Sequence, residues 1–265
     1  MSLPTQTPTN IARHLIDAYS GAPPLDLDES IRNFAPLDPY LFRDSILDEV
    51  VRVRRGAIGG YKISLTRTKD QAALGSTGPA YGRLMRERLL PSGATVDLST
   101  ENGFLIEPEL VLTAVEELNA SMSITELEHR VRVAPGIELP TSRFRNWMPG
   151  SPGAGHTVHS HVLDNALAGY LVVGNSVSSE SLPWRAIPAT LTRNGEVVAD
   201  GNSDAVMGSP IHALHWLLEQ LDRRGLSLGA GQVVSTGTFA DPVAAEPGCY
   251  SADLNDVGSV TVTFT

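Results

Sequence analysis

The chain has 265 residues, of which 42% are apolar and 19% are charged, and its formal net charge is -10. This length and composition predict one large folded domain, or one domain with a small appendage, and exclude a disordered chain. Lysine and arginine form no basic block. We therefore expect neither a nucleic-acid surface nor binding to an anionic membrane, because both need clustered positive charge.

Two features bear on the compartment. Cys249 is the single cysteine, so an intrachain disulfide is excluded and a reducing compartment is favoured. No window approaches the roughly 18 consecutive apolar residues of a membrane span. The start, "MSLPTQTPTNIARHLIDAYSG", lacks the basic and apolar regions of a signal peptide. We therefore expect a soluble cytoplasmic protein.

Helical periodicity dominates the first 60 residues. Residues 9–19 carry an apolar stripe, and either Thr9 or Asn10 is placed to cap it. After the linker "APPLDLDES", the segment "DPYLFRDSILDEVVRVRR" has a second helical stripe at Leu41, Ile46, Val50 and Val53. These patterns predict a small N-terminal helical segment over residues 1–60.

Short strands with turn residues between them are predicted over residues 61–265. "YKISLT", "GFLIEPELVLTAVEEL", "RVAPGIELPTSR" and "AGYLVVG" are the first of them. Asn194 and Gly195 lie between two alternating arms and predict a hairpin, because both residues tolerate positive φ. The tail "CYSADLNDVGSVTVTF" predicts another strand pair.

One late helix is predicted, with Ser209 as its cap, Pro210 in its first turn and Gly225 at its end. The chain as a whole is predicted to be mixed α/β, with β structure predominating and without regular βαβ alternation.

Two acidic residues interrupt an apolar strand in "GFLIEPELVL". Glu107 and Glu109 are two residues apart, so they share one face of the strand. Burying each carboxylate without a partner costs on the order of several kcal/mol. Pro108 between them cannot donate to a sheet ladder, which predicts an edge or a bulge. A third acid, Glu138, follows in the next apolar segment, after a helix predicted in "SITELEHRV".

Three carboxylates with no nearby cysteine favour a hard divalent cation, Mg²⁺ or Mn²⁺, because these ions prefer oxygen ligands. The alternative is that Glu107 and Glu109 face solvent on a half-exposed strand. Lys62 is a second unusual residue, a lysine inside the apolar strand "GYKISLT". It either stays charged beside an anion, loses its proton through desolvation, or extends its amine into water.

The ordered motifs "GYKISLT", "YGRL", "IEPEL", "IELPTSR", "DNALAG", "MGSPIHALHWL", "GQVVSTGT" and "DVGSVTVTF" resemble the 2-keto-4-pentenoate hydratase family of the fumarylacetoacetate hydrolase superfamily. The resemblance implies a small helical part and a mixed β-roll or barrel. It implies that Mg²⁺ or Mn²⁺ is held by Glu107, Glu109 and Glu138, with Lys62 as a catalytic residue. It also implies substrate-side roles for Asp164, Asn165 and Thr238.

The chain departs from the family pattern at three positions. Ala80 stands where relatives usually carry an acid that is a proposed proton-transfer group. Ser64 replaces a usual glycine, and Gln232 replaces a usual aspartate. The connection "MPGSPGAGHTVHSHVLDN" is also rich in glycine and histidine. We interpret His156, His159 and His161 as parts of a solvated loop, with the alternative that one of them enters the site as an acid or base.

The leading hypothesis is a lyase that adds water to a 2-hydroxy-2,4-dienoate or 2-keto-4-enoate. The alternatives are a decarboxylase of the 4-oxalocrotonate type, with Arg143 or Arg83 binding the second carboxylate, and a carbon–carbon hydrolase of acylpyruvates. A structural subunit beside an active homologue is the non-enzyme alternative. The resemblance further implies a homo-oligomer, with a homologous decarboxylase or hydratase as a candidate partner.

Overall fold

A computed structural model describes residues 8–27, 31, 34, 36–148 and 155–265. The end of the linker "APPLDLDES" and residues 149–154 of the histidine-rich connection lie outside these described residues. The helices are α1 (Pro8–Tyr19), α2 (Pro39–Arg54), α3 (Thr68–Leu74), α4 (Ile124–His129), α5 (Val158–Leu163) and α6 (Pro210–Asp222).

The strands alternate irregularly with these helices. They are β1 (Ile58–Ser64), β2 (Ala80–Met85), β3 (Leu89–Pro91), β4 (Ala94–Val96), β5 (Leu105–Ala114), β6 (Val131–Leu139), β7 (Tyr170–Val173), β8 (Val177–Ser178), β9 (Pro188–Arg193), β10 (Glu196–Asn202), β11 (Val233–Thr238), β12 (Val243–Ala244), β13 (Gly248–Asp253) and β14 (Ser259–Phe264).

The strands form two mixed sheets. The larger has the order β2-β1-β11-β5-β6-β7-β3, with β12 also paired to β5 and β8 to β6; the smaller has the order β10-β9-β13-β14-β4. Pairing is antiparallel except for β1 with β11, β3 with β7 and β4 with β14. One apolar core joins both sheets and α6. The predicted mixed α/β class is therefore confirmed.

The N-terminal helices have a smaller core of their own. Ile11 and Leu15 of α1 pack with Ile46 of α2, and Met85 and Phe144 of the β body complete the cluster. Residues from both sides of residue 60 share this core. The division of the chain into domains at that residue stays a prediction.

Two residues of the predicted α2 stripe are on the surface. Leu41 and Val53 are exposed, whereas Ile46 and Val50 are buried as expected. The prediction for the first two is wrong because α2 buries only the narrow face that contacts α1 and α5. Among the described residues, every helix is too short or too polar to cross a lipid bilayer.

Several local predictions are confirmed. Asn194 and Gly195 have φ of 52° and 90° and connect β9 to β10. Helix α4 begins with a capping box between Ser123 and Glu126. Ser209 precedes α6, but its hydroxyl donates to the carbonyl of Trp184 rather than to the helix.

Pro108 lies inside the larger sheet, beside a bulge in the neighbouring strand. Between β11 and β5, Ser235 pairs with Val111 while Thr238 pairs with Glu109, so β11 carries one extra residue here. The predicted bulge is present and the alternative of an edge strand is wrong, because β5 pairs with β6 on its other side.

The parallel contact between β1 and β11 depends on a residue without a side chain. A Cβ added to Gly60 would lie 1.9 Å from the carbonyl oxygen of Val233. We expect Gly60→Ala to lower the free energy of unfolding by about 1–3 kcal/mol or more, because two strands would have to separate. Urea unfolding measures this. Gly229→Ala is the control, since its nearest contact would be an ordinary 3.5 Å; equal effects of the two changes would contradict the prediction.

Candidate metal centre

Two adjacent strands bring three glutamates together. Glu107 of β5 pairs directly with Glu138 of β6, and Glu109 follows two residues later on the face that Glu107 shares. One carboxylate oxygen from each lies within 4.8 Å of the others. Glu109 and Glu138 are fully buried, and Glu107 is half-buried. The alternative in which the acids face solvent is therefore excluded.

The bulge in β11 fixes the position of Glu109. Gly237 has a φ of 113°, and its N–H donates to Glu109 Oε2 at 2.8 Å. Ser235 donates its hydroxyl to the same oxygen at 2.6 Å. A Cβ at Gly237 would lie 2.6 Å from the Thr66 side chain, so glycine is needed here for both its φ and its size. The two donors leave the other oxygen of Glu109 available.

Lys62 supplies the balancing positive charge. Its Nζ lies 2.9 Å from Glu138 Oε1, and the residue is only 3% exposed. Lys62 also pairs with Ser235 across β1 and β11, which places it over the same face as Glu109. Burial lowers the pKa of Lys62, but Glu138, Glu107 and Glu109 raise it by more, so the net pKa is raised. The raised pKa favours the charged form of the lysine, and its burial shows that the amine does not extend into water.

The three carboxyls repel one another. Burial first, and the neighbouring Glu138 second, raise the pKa of Glu107 from 4.5 to about 8. The same two causes, with Glu107 added, raise the pKa of Glu109 well above 4.5. One lysine cannot compensate three buried carboxylates. A divalent cation would do so, because each carboxylate stabilised by it stays ionised.

The donor set fits such a cation. Glu109 Oε1 and Glu138 Oε2 are buried, and neither has a hydrogen-bond partner among the described residues. Buried carboxylate oxygens are normally paired, so these two indicate a missing ligand. All the donors are carboxylate oxygens, the type that hard divalent cations prefer. The three glutamates implied by the sequence resemblance are thus the residues that would hold such an ion.

A cavity of about 420 Å³ opens beside the glutamates. Glu107 and Thr238 line it, and the predicted contact of Thr238 with substrate stays a prediction. Most of the remaining wall is apolar. It comes from strands and their flanking residues, from α3, and from residues just before and just after the histidine-rich connection: Ile63, Leu65, Ala73, Leu74, Leu105, Trp147, Leu167 and Pro242.

Arg143, Asp164 and Asn165 lie behind this wall rather than on it. Arg143 Nε donates to Asp164 Oδ1 at 2.5 Å, and its other nitrogens donate to the carbonyls of Asp164 and Ala168. The side chain of Asn165 pairs with the backbone N–H and carbonyl of Arg83. These contacts hold a left-handed turn at residues 165–167, whose φ angles are 54°, 52° and 59°. Their predicted contact with substrate stays a prediction.

The positions of the histidines differ from our interpretation of the sequence, which placed all three in a solvated loop. His156 and His161 line the cavity, and His161 is buried on α5 with its Nε2 2.9 Å from Ser64 Oγ. His159 lines a different pocket, beside Tyr40. The helix was missed because it has only six residues, although its Thr157–Ser160 capping box was visible in the sequence. The solvated-loop interpretation is wrong for His161.

Comparison with known proteins agrees with this geometry. A family model described as fumarylacetoacetate (FAA) hydrolase C-terminal matches residues 142–264. The 2-keto-4-pentenoate hydratase of Burkholderia vietnamiensis is 32% identical over 78% of each chain. The 4-oxalocrotonate decarboxylase of Pseudomonas putida is 30% identical over 80% of this chain and 79% of the relative.

A solved structure has the same fold. The 4-oxalocrotonate decarboxylase from Pseudomonas putida G7, complexed with magnesium and adipate, has a TM-score of 0.87 and 24% identity, with 100% of this chain and 99% of that chain covered. The fold and site therefore define a protein of the fumarylacetoacetate hydrolase type. Within that superfamily, the chain belongs to the 2-keto-4-pentenoate hydratase family.

The raised pKa of Glu107 predicts a pH-dependent stability. The folded metal-free protein holds a proton that the unfolded chain loses above about pH 4.5, so this stabilisation is complete below about pH 4.5 and is lost as pH rises through about 8. We expect the Tm of chelator-treated protein to fall between about pH 6 and about pH 8, and Mg²⁺ to offset that fall, since the cation replaces the proton.

Thermal unfolding with chelator and with Mg²⁺ over this pH range measures the effect. Glu107→Gln removes the titrating group and should flatten the slope of the metal-free protein. Parallel slopes with chelator and with Mg²⁺ would contradict the prediction.

Proposed function

We propose that the protein is a divalent-metal-dependent hydratase that adds water to a 2-hydroxy-2,4-dienoate, or its 2-keto-4-enoate tautomer. The observation that carries the proposal is the cluster of Glu107, Glu109, Glu138 and Lys62 beside a largely apolar cavity that Glu107 lines. The names of the relatives support the same reaction class.

The ion that we propose is Mg²⁺ or Mn²⁺, held by the three glutamates. The oxygen-only donor set supports this choice, as does the magnesium in the similar decarboxylase structure. When bound, such an ion acts as a Lewis acid toward a 2-keto acid and stabilises the negative charge of its enolate. Under this proposal the glutamates are ligands and not general bases.

Lys62 contributes a fixed positive charge to the same region. Because it is buried and already oriented by Glu138, it stabilises developing negative charge without reorganisation of solvent. We propose that it stabilises the enolate oxygen or transfers a proton there. Thr238, which lines the cavity beside Glu107, is proposed to border the substrate carboxylate.

The cavity supports a hydratase over a decarboxylase of keto diacids. A second carboxylate needs a cation at the far end, but the candidate arginines are paired with aspartates. Arg143 is buried against Asp164, and Arg83 contacts Asp48 at 2.9 Å. Arg67, on the cavity wall, lies 2.6 Å from Asp70 and 2.8 Å from Asp241. The wall is otherwise mostly apolar, which suits an uncharged tail.

We further propose that the protein acts in the cytoplasm as a homo-oligomer, and that a homologous decarboxylase or hydratase is a candidate partner. The relation to the hydratase family is what supports this. Turnover by the purified chain alone with Mg²⁺ would exclude the structural-subunit alternative.

The metal site has a direct test. Glu107→Gln with Glu109→Gln should abolish divalent binding and hydratase turnover, because two of the three ligand charges are lost. Calorimetric titration with Mg²⁺ and Mn²⁺, and loss of dienoate absorbance, are the measurements. Glu117→Gln with Glu196→Gln is the matched control, since both side chains are exposed. Unchanged metal content in the first double variant would remove the site assignment.

The apolar wall predicts the preferred substrate. A dienoate with an alkyl tail should give a higher kcat/KM than one that ends in a carboxylate, because burying an unpaired charge costs on the order of several kcal/mol. The difference should exceed about tenfold. Competition between the two substrates, followed by chromatography, measures the ratio. Preference for the diacid, with release of carbon dioxide, would favour the decarboxylase.

A further inference from the structure

Ser64 and His161 form a polar pair on an otherwise largely apolar part of the cavity wall. The atoms Ser64 Oγ and His161 Nε2 are 2.9 Å apart, and both residues line the cavity. Ser64 ends β1 two residues after Lys62, so the two side chains share one face of the strand. Their Cα atoms are therefore about 7 Å apart along the strand. The pair lies one step further along the cavity than the charged cluster.

The local packing holds His161 against Ser64. Helix α5 is fixed at its start by the capping box of Thr157 and Ser160. Ala80 pairs directly with Ser64 across β1 and β2, and it packs against Val162 of the same helix. A residue as small as alanine at this point lets α5 approach the strand closely. The contact between the serine and the histidine is thus built by three elements, β1, β2 and α5.

One nitrogen of the imidazole ring has no hydrogen-bond partner in the part of the chain that the structure describes. His161 is 3% exposed, and its Nδ1 is buried with no hydrogen bond among the described residues. A buried polar atom without a partner costs about 1–3 kcal/mol, so a purely structural histidine is poorly explained here. Burial first, and then His156, Lys62 and Arg143, hold the pKa of His161 well below its ordinary value. The lowered pKa favours the neutral ring, and in the tautomer that carries its hydrogen on Nδ1 the 2.9 Å contact lets Nε2 accept the serine proton.

We propose that Ser64 and His161 form a proton relay for the water that adds to the substrate, with Ser64 contacting the water and His161 holding the proton. This inference rests on the hydratase function proposed above. It gives the cavity a group for moving protons at substrate atoms beyond the keto acid end, a role that the ligating glutamates and the ion-paired Lys62 do not fill.

The relay acts on the conjugated 2-keto-3-enoate, which forms from the 2-hydroxy-2,4-dienoate when the proton of the 2-hydroxyl group leaves and a proton is added at C5. On this form the transfer balances in two steps. The water oxygen bonds to C4, its proton passes to Ser64 Oγ, and the serine proton passes to His161 Nε2. The electron pair of the C3–C4 double bond moves into the enolate. The proton on His161 then returns through Ser64 to C3. The net change is addition of H to C3 and OH to C4, and both residues regain their first state.

Two variants at Ser64 distinguish the effect of losing the hydroxyl group from the effect of changing the side-chain volume. Ser64→Thr and Ser64→Val have nearly the same volume and differ in the hydroxyl group. We expect Thr to keep most of the activity and Val to lower kcat by roughly 10²-fold or more, the usual contribution of a proton-transfer group. KM and Mg²⁺ affinity should change much less, because Lys62 and the glutamates are untouched. Equal kcat values for the two variants would overturn the proposal.

Paired variants at the histidines test the second half of the relay. His161→Gln should lower kcat by a similar factor, and combining it with Ser64→Val should cost little more, because the two residues act as one unit. His159→Gln is the matched control on the same helix, since His159 faces another pocket. Additive losses in the double variant, or unchanged kcat in His161→Gln, would overturn the relay.

A spectroscopic measurement needs no turnover. Ring ¹⁵N NMR of the metal-free protein should show His161 neutral at about pH 7, with an Nε2 resonance that moves in Ser64→Val but not in Ser64→Thr. A charged ring would overturn the proposal. An inactive wild-type protein would contradict the proposed hydratase function. An active wild-type protein whose variants are unaffected would contradict the relay alone.

Discussion

The burial of three carboxylates beside one lysine is the constraint on which the rest of the site depends. Glu107, Glu109 and Glu138 are held together by strand pairing, and Lys62 compensates only part of their charge. Such an arrangement is costly without a cation, because burial and mutual repulsion both favour the protonated carboxyls. The raised carboxyl pKa values and the carboxylate oxygens without partners are two consequences of the same imbalance. A divalent ion removes both.

The backbone around the cluster adopts costly conformations. The bulge at Gly237 directs an N–H to Glu109, and the left-handed turn at residues 165–167 places Leu167 on the cavity wall. Each non-glycine residue of that turn costs on the order of 1 kcal/mol or more. The pair of Arg143 and Asp164 and the two hydrogen bonds of Asn165 offset this cost. The shape of the cavity is thus maintained from behind by polar contacts that never reach its interior.

The sequence predicted the elements with local causes. The Asn194–Gly195 hairpin, the capped helix α4 and the shared face of Glu107 and Glu109 follow from turn chemistry and strand period, and each is present. It did not predict what depends on distant packing. The pairing of Arg143 with Asp164 and the contact of His161 with Ser64 join residues 21 and 97 positions apart. No local pattern encodes such distances, and the surface position of Leu41 was misread for the same reason.

The guanidinium of Arg143 has a further neighbour, the ring of Tyr19 at the end of α1, whose centroid lies 4.7 Å away. Phe144, the next residue, packs into the small core of the N-terminal helices. The N-terminal helices therefore support this region, because Tyr19 of α1 contacts the same arginine that holds the turn behind the cavity. A shortened chain lacking α1 would keep all three glutamates and yet lose the contact between Tyr19 and Arg143, so the support behind the cavity depends on the N-terminal helices as well as on the turn.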